Sequence, residues 1–176
     1  MRNALQRGFS LLAALGLVLG ATQASPALGA EENESEEAPV LEIGATNDWT
    51  VRGGSTTNAG LSLGFEVTAI QNWLEMELGA DVLGTSGHTE AAGDLIFKIP
   101  FRLSATSEFM VGAGPKFSKV YGGPDHGTYS GAEVDLDFMF WPHKDIGWYV
   151  QPDWSLVSRT GEQSVGLTVG VLIRTR

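Results

Sequence analysis

The chain has 176 residues, 43 % hydrophobic and 18 % charged, with a formal net charge of −10 and no cysteine. This length gives one domain of ordinary size, with a charged fraction below the roughly 25 % usual for soluble proteins. A chain without cysteine has no disulfide, thiolate chemistry or thiolate metal site, and the acidic balance repels the phosphates of nucleic acid.

Residues 1–24 read as a Sec-type signal peptide. Arg2 and Arg7 provide a positive start, Gly8–Ala21 an apolar run, and Thr22–Ala24 small residues for cleavage, with further cut points as late as 27–30. The run is shorter than the ~20 residues a spanning helix needs. No cysteine follows it for lipid attachment. Losing Arg2 and Arg7 from a chain of −10 leaves the mature product at −12. Residues 25–39 include EENESEEAP, with five glutamates and Ala38 alone as an aliphatic group. Such a stretch cannot bury enough to order itself, so an acidic disordered tail is expected.

From residue 40 onward the pattern has a period of two. Eight alternating segments fall at about 40–51, 60–70, 73–83, 91–103, 108–118, 130–141, 146–157 and 163–174. Each matches the ~9–11 residues of a transmembrane β-strand. Residues 40–176 are therefore expected to form an all-β domain, an eight-stranded antiparallel up-and-down transmembrane β-barrel. Tight connections at 70–72, 104–107 and 142–145 alternate with longer ones at about 52–59, 84–90, 119–129 and 158–162. Outer-membrane barrels have short periplasmic turns and longer outer loops, and an even strand count puts both termini, with the acidic tail, on the short-turn side. Trp73, Trp141 and Trp148 beside the tight turns, and Trp154 and Tyr121 toward the other end, are expected at the headgroup level. Pro100, Pro115 and Pro152 fall inside strands, where bulges or kinks are expected.

The two faces of these strands differ. One carries Leu74, Met76 and Leu78, then Phe97, Ile99 and Phe101, then Val134, Leu136 and Phe138, with no charge among them. The other carries Glu75, Glu77, Asp81, Asp94, Lys98, Arg102, Glu108, Lys116, Glu133, Asp135 and Asp137, interleaved with glycines such as Gly64, Gly79, Gly112 and Gly114. A soluble barrel would crowd the large apolar groups into a small lumen and expose strand-weakening glycines. A membrane barrel turns the apolar face to lipid and lets glycines make room for an interior polar network. Lys98, Arg102 and Lys116 are expected to pair with Glu75, Glu77 and Glu108, so that Arg102→Met lowers the melting temperature. Eight strands enclose space for side chains only, so a plugged lumen is preferred over a cation channel.

The pattern over 40–176 resembles the small eight-stranded outer-membrane β-barrel proteins of Gram-negative bacteria. More narrowly, EFMVGAGP (108–115), DFMFWPHKDIGWYVQP (137–152) and EQSVGLTVGVLI (162–173) resemble a largely uncharacterised family of exported barrels. The resemblance implies outer-membrane lipid and the barrel-assembly machinery as partners, and it supplies no catalytic residue. Such barrels commonly end in an aromatic residue read by that machinery, whereas this chain ends Ile173-Arg174-Thr175-Arg176.

Catalytic chemistry finds little footing. His88, His126 and His143 all fall in connections, and no nucleophile is fixed beside them as a dyad requires. Asp125, His126 and His88 would suit a divalent metal if two loops met, but their spacing is not diagnostic. No catalytic residue, metal or cofactor is assigned. GAGP (112–115) is followed by no helix, so it is no phosphate loop. The preferred function is a non-enzymatic integral outer-membrane barrel, cleaved from its signal, serving envelope integrity or surface interaction with an extracellular partner not identified by sequence. The alternatives are a soluble periplasmic lipocalin-like barrel holding an apolar ligand, and a lipid-modifying outer-membrane enzyme.

Overall fold

The computed structural model describes residues 38–85, 87–123 and 126–175. The expected signal peptide, and the acidic tail except Ala38 and Pro39, lie outside the described residues. The rest is a closed antiparallel barrel in which each strand pairs with its sequence neighbour and β1 closes on β8. The strands are β1 (Val40–Arg52), β2 (Thr57–Ile70), β3 (Leu74–Thr85), β4 (His88–Arg102), β5 (Ser107–Tyr121), β6 (Gly127–Phe140), β7 (Ile146–Val157) and β8 (Gln163–Arg174).

The register fixes the geometry. Starting at Phe109, register partners run through Phe138, Val150, Val169, Ala45, Leu61, Val82 and Ala91, and re-enter β5 at Lys119. The circuit advances ten residues along β5 in one turn. That stagger over eight strands sets a tilt of roughly 40° and a lumen that side chains fill. At this tilt even a 12-residue strand such as β3 rises about 30 Å. At the seam the Thr175 amide donates to the Pro39 carbonyl at 2.8 Å, and the Thr175 hydroxyl donates to the same oxygen at 2.9 Å.

Three expectations are corrected. The connections do not alternate between short and long. β1 and β2 are joined by 53–56, β3 and β4 by 86–87, β5 and β6 by 122–126, and β7 and β8 by 158–162; the opposite end uses 71–73, 103–106 and 141–145. The supposed loop residues at 57–59, 88–90 and 127–129 pair as strand. The prolines produce no register shift. The β4–β5 ladder skips the pairs around Pro115, the β6–β7 ladder skips those around Pro152, and the same register resumes on either side. The shifts fall instead between Thr50 and Arg52 and between Thr68 and Ile70. A proline removes one ladder donor, and stiff flanking pairs hold the register across that gap. Finally, Trp141 does not join an exterior ring. It turns inward and is buried, with the Arg174 guanidinium 4.1 Å from its ring centroid. Trp73 and Trp148 at the same end, and Trp49, Tyr121 and Trp154 toward the other, are on the outer surface.

The outer surface is apolar. Leu78, Phe97, Ile99, Phe101, Val134 and Leu136 are exposed, as are Leu61, Leu63, Val169 and Val171. Leu74, Met76 and Phe138 share this outward phase and are half-buried by neighbours, Phe138 against Phe109 at a ring separation of 4.9 Å. The alternation places the acids on the inside.

Candidate functional site in the barrel interior

Three layers fill the interior. Nearest the termini, Val40, Met110, Met139, Trp141, Tyr149 and Leu172 form a buried apolar cluster. Above it stands Lys98, fully buried on β4. Its ammonium contacts Glu77, lies 2.5 Å from Asp137 and donates to Glu66 at 3.2 Å. Glu42 and Asp135 complete this layer, and Gln151 donates to Asp135 at 3.2 Å. Higher still, Lys116 contacts Glu133. Around this second pair lies a cavity of ≈ 20 Å³ whose walls include Asp48, Asp81, Asp94, Asp153 and Glu77, large enough for about one water molecule.

Glycine makes these layers possible. Gly112 is the register partner of both Lys98 and Asp135, Gly79 that of Asp94, and Gly166 that of Asp153. A Cβ on any of the three would overlap the facing carboxylate. The small residue across the ladder lets a long charged side chain lie flat over the neighbouring backbone.

The candidate residues therefore separate. Glu77, Asp135, Asp137 and Lys98 share the lower polar layer, and Glu133, Lys116, Asp81 and Asp94 share the upper one. Glu75 is buried on the same inward phase. Arg102 and Glu108 are register partners at the rim, where Arg102 is exposed and Glu108 half-buried. The pairing differs from expectation. Lys98 does meet Glu77, while Lys116 meets Glu133: the stagger raises Lys116 above Glu75 on β3, and Glu108 lies eight residues back along β5 itself.

Glu42 and Glu66, which share the polar face of the alternation, also belong to the lower polar layer. Ile96, Met110, Met139, Tyr149 and Leu172 are inward apolar groups that the sequence reading passed over. Their phase was visible: Met139 follows Asp137 by two residues, and Leu172 follows Gly170. Most inward apolar residues cluster at the end around Trp141, while Leu83 is buried inward toward the other end.

The histidines lie at the rims. His88 begins β4, His126 is exposed and its Nδ1 lies 3.3 Å from the Gly123 carbonyl, and His143 is exposed in the 141–145 turn. A Cβ on Gly123 would lie 3.7 Å from His88 Cβ, so Gly122 and Gly123 lie beside Gly87 and His88. Asp125, the third candidate ligand, is outside the described residues.

A closed eight-stranded barrel with an apolar exterior and a charged interior is the architecture of small outer-membrane barrel proteins. Among solved structures, Neisserial surface protein A (NspA) is similar with a TM-score of 0.66 at 11 % identity, covering 78 % of this chain and 97 % of that one. OprG from Pseudomonas aeruginosa gives 0.60 at 9 %, covering 80 % and 97 %. Ail, the attachment invasion locus protein of Yersinia pestis, gives 0.57 at 13 %, covering 80 % and 100 %. No protein-family model matches the chain, and no curated protein matches it. At these identities the likeness is one of fold.

Proposed function

We propose that this chain is an integral outer-membrane protein whose lumen is closed by its own side chains, and that it acts without catalysis in envelope integrity or surface interaction. The observation that carries this reading is the inversion of burial. Lys98, Asp135 and Asp137 are each 0 % exposed, while Leu78 and Leu61 are 64 % and 69 % exposed. In water this arrangement would both desolvate charge and leave a continuous apolar belt wet. In lipid the belt is the stabilising surface. The rise of about 30 Å along the strands suits the hydrocarbon thickness. The three interior layers support the closed lumen, and in the lower polar one Lys98 joins Glu66 on β2 to Asp137 on β6, strands on opposite sides of the barrel.

A lipocalin-like carrier would need an apolar cavity, whereas the cavity here is acidic and water-sized. A lipid-modifying enzyme would need a nucleophile and base together at the lipid-facing rim, and the three histidines are not so placed among the described residues. Cell fractionation decides between membrane and soluble forms. The protein is expected in the detergent-extracted envelope fraction, with heat-modifiable migration on gels. Recovery in the periplasmic supernatant without detergent would overturn the proposal.

A further inference from the structure

We propose that Glu42, Glu66 and Glu77 form an interior calcium-ion site between β1, β2 and β3. One carboxylate oxygen from each residue lies within 4.8 Å of the others. Oxygens around Ca²⁺, each 2.3–2.6 Å from the ion, span up to about 5 Å, so this triad has the right spread.

Three observations point to a ligand rather than a chance cluster. Glu42 is 1 % exposed, and neither of its carboxylate oxygens has a hydrogen-bond partner. An unsatisfied buried carboxylate is costly, and Lys98 reaches Glu66, Glu77 and Asp137 while bonding no oxygen of Glu42. Glu66 and Glu77 are direct register partners on β2 and β3, and Lys98 bridges them, yet this one ammonium faces the buried carboxyl groups of Glu42, Glu66, Glu77, Asp135 and Asp137, an acid excess that a further cation would offset. Gly64 lets Glu42 and Glu77 converge over its backbone: a Cβ there would lie 2.7 Å from Glu77 Oε1 and 3.2 Å from Glu42 Cβ.

The chemistry selects calcium among hard cations. The site offers only carboxylate oxygens, which suit Mg²⁺, Ca²⁺ and Mn²⁺. Mg²⁺ keeps several of its waters, and a site whose Glu42 oxygens are inaccessible has no room for them. Ca²⁺ accepts irregular, all-protein oxygen shells. An entry path exists, because the acid-lined cavity above has Glu77 in its wall and would concentrate cations there. The site does not depend on where the barrel resides.

The test uses the refolded full-length barrel in detergent, stripped with EDTA and dialysed against radioactive Ca²⁺. We expect one equivalent bound per chain and a melting temperature several degrees higher with 1 mM Ca²⁺ than with EDTA. Glu42→Gln should weaken Ca²⁺ binding at least tenfold and remove the thermal shift. Glu162→Gln, in the 158–162 connection, should change neither. Folding of each variant is scored by heat-modifiable migration, and Glu66→Gln replaces Glu42→Gln if the latter does not fold. Sub-stoichiometric binding by the wild type, or undiminished binding by the folded variant, overturns the site.

Discussion

Lys98 shows how one side chain can anchor an interior. Its ammonium is shared among Glu66, Glu77 and Asp137, on three different strands, so it ties the near and far walls of the barrel together. Removing one partner of a buried ionic group leaves the others desolvated and costs about 3–5 kcal/mol. Lys98→Met is expected to destabilise the barrel by that amount in urea unfolding followed by tryptophan fluorescence. Arg102→Met, at the exposed rim, is expected to cost under about 1 kcal/mol. Equal effects for the two variants would remove Lys98 from its central place. The sequence alone ranked these cations equally, because period-two phase says which face a residue is on and not how far along the lumen it sits. Height depends on the stagger between strands, which no single strand reveals.

At the scale of the strand, the period-two signal was strong where both sides had opposite demands. β3, β7 and β8 are bounded within one or two residues of the alternation, because apolar and polar positions contrast along their whole length. β2, β4 and β6 begin three residues earlier than the pattern implies, at Thr57, His88 and Gly127. There the outward positions are Thr57, Thr89 and Thr128. Such residues need no apolar neighbour, so alternation fades while ladder hydrogen bonding continues. The glycine–acid ladder was partly legible: glycines were expected to make room for charge, but which acid faces which glycine required the register. Gly112→Ala tests that fit. Its Cβ would press on Asp135, and would lie 2.5 Å from Ile96 Cγ2 and 2.9 Å from Lys98 Cγ. Overpacking of this kind costs about 1–3 kcal/mol. Gly84→Ala, where nothing lies within 4 Å, is expected to be neutral in the same unfolding assay, and a comparable loss in both would show that strand propensity, not space, governs these glycines.

For the whole molecule, the fold class and the inside-out burial were both legible in the sequence, but the lengths of the connections carried neither. The supposed rhythm of short and long connections dissolved once 57–59, 88–90 and 127–129 paired as strand. The contrast between faces carried the conclusion alone, and it has a consequence that depth can expose. A belt that meets lipid penalises a charge most at its middle, whereas a belt facing water penalises it little anywhere. Leu63 lies midway along β2, outward and 49 % exposed; Ala59 shares that face nearer the 53–56 end. Four residues at a tilt of roughly 40° separate the two by about 10 Å of depth. In lipid vesicles, Leu63→Arg is expected to destabilise the barrel by about 2–4 kcal/mol and Ala59→Arg by about 0–1 kcal/mol. Urea unfolding from vesicles measures both. A graded penalty follows only if the hydrocarbon is centred on Leu63. Two small and equal penalties would mean that water bathes the belt, and the reason for burying eight acids together with Lys98 inside would have to be sought elsewhere than in a bilayer.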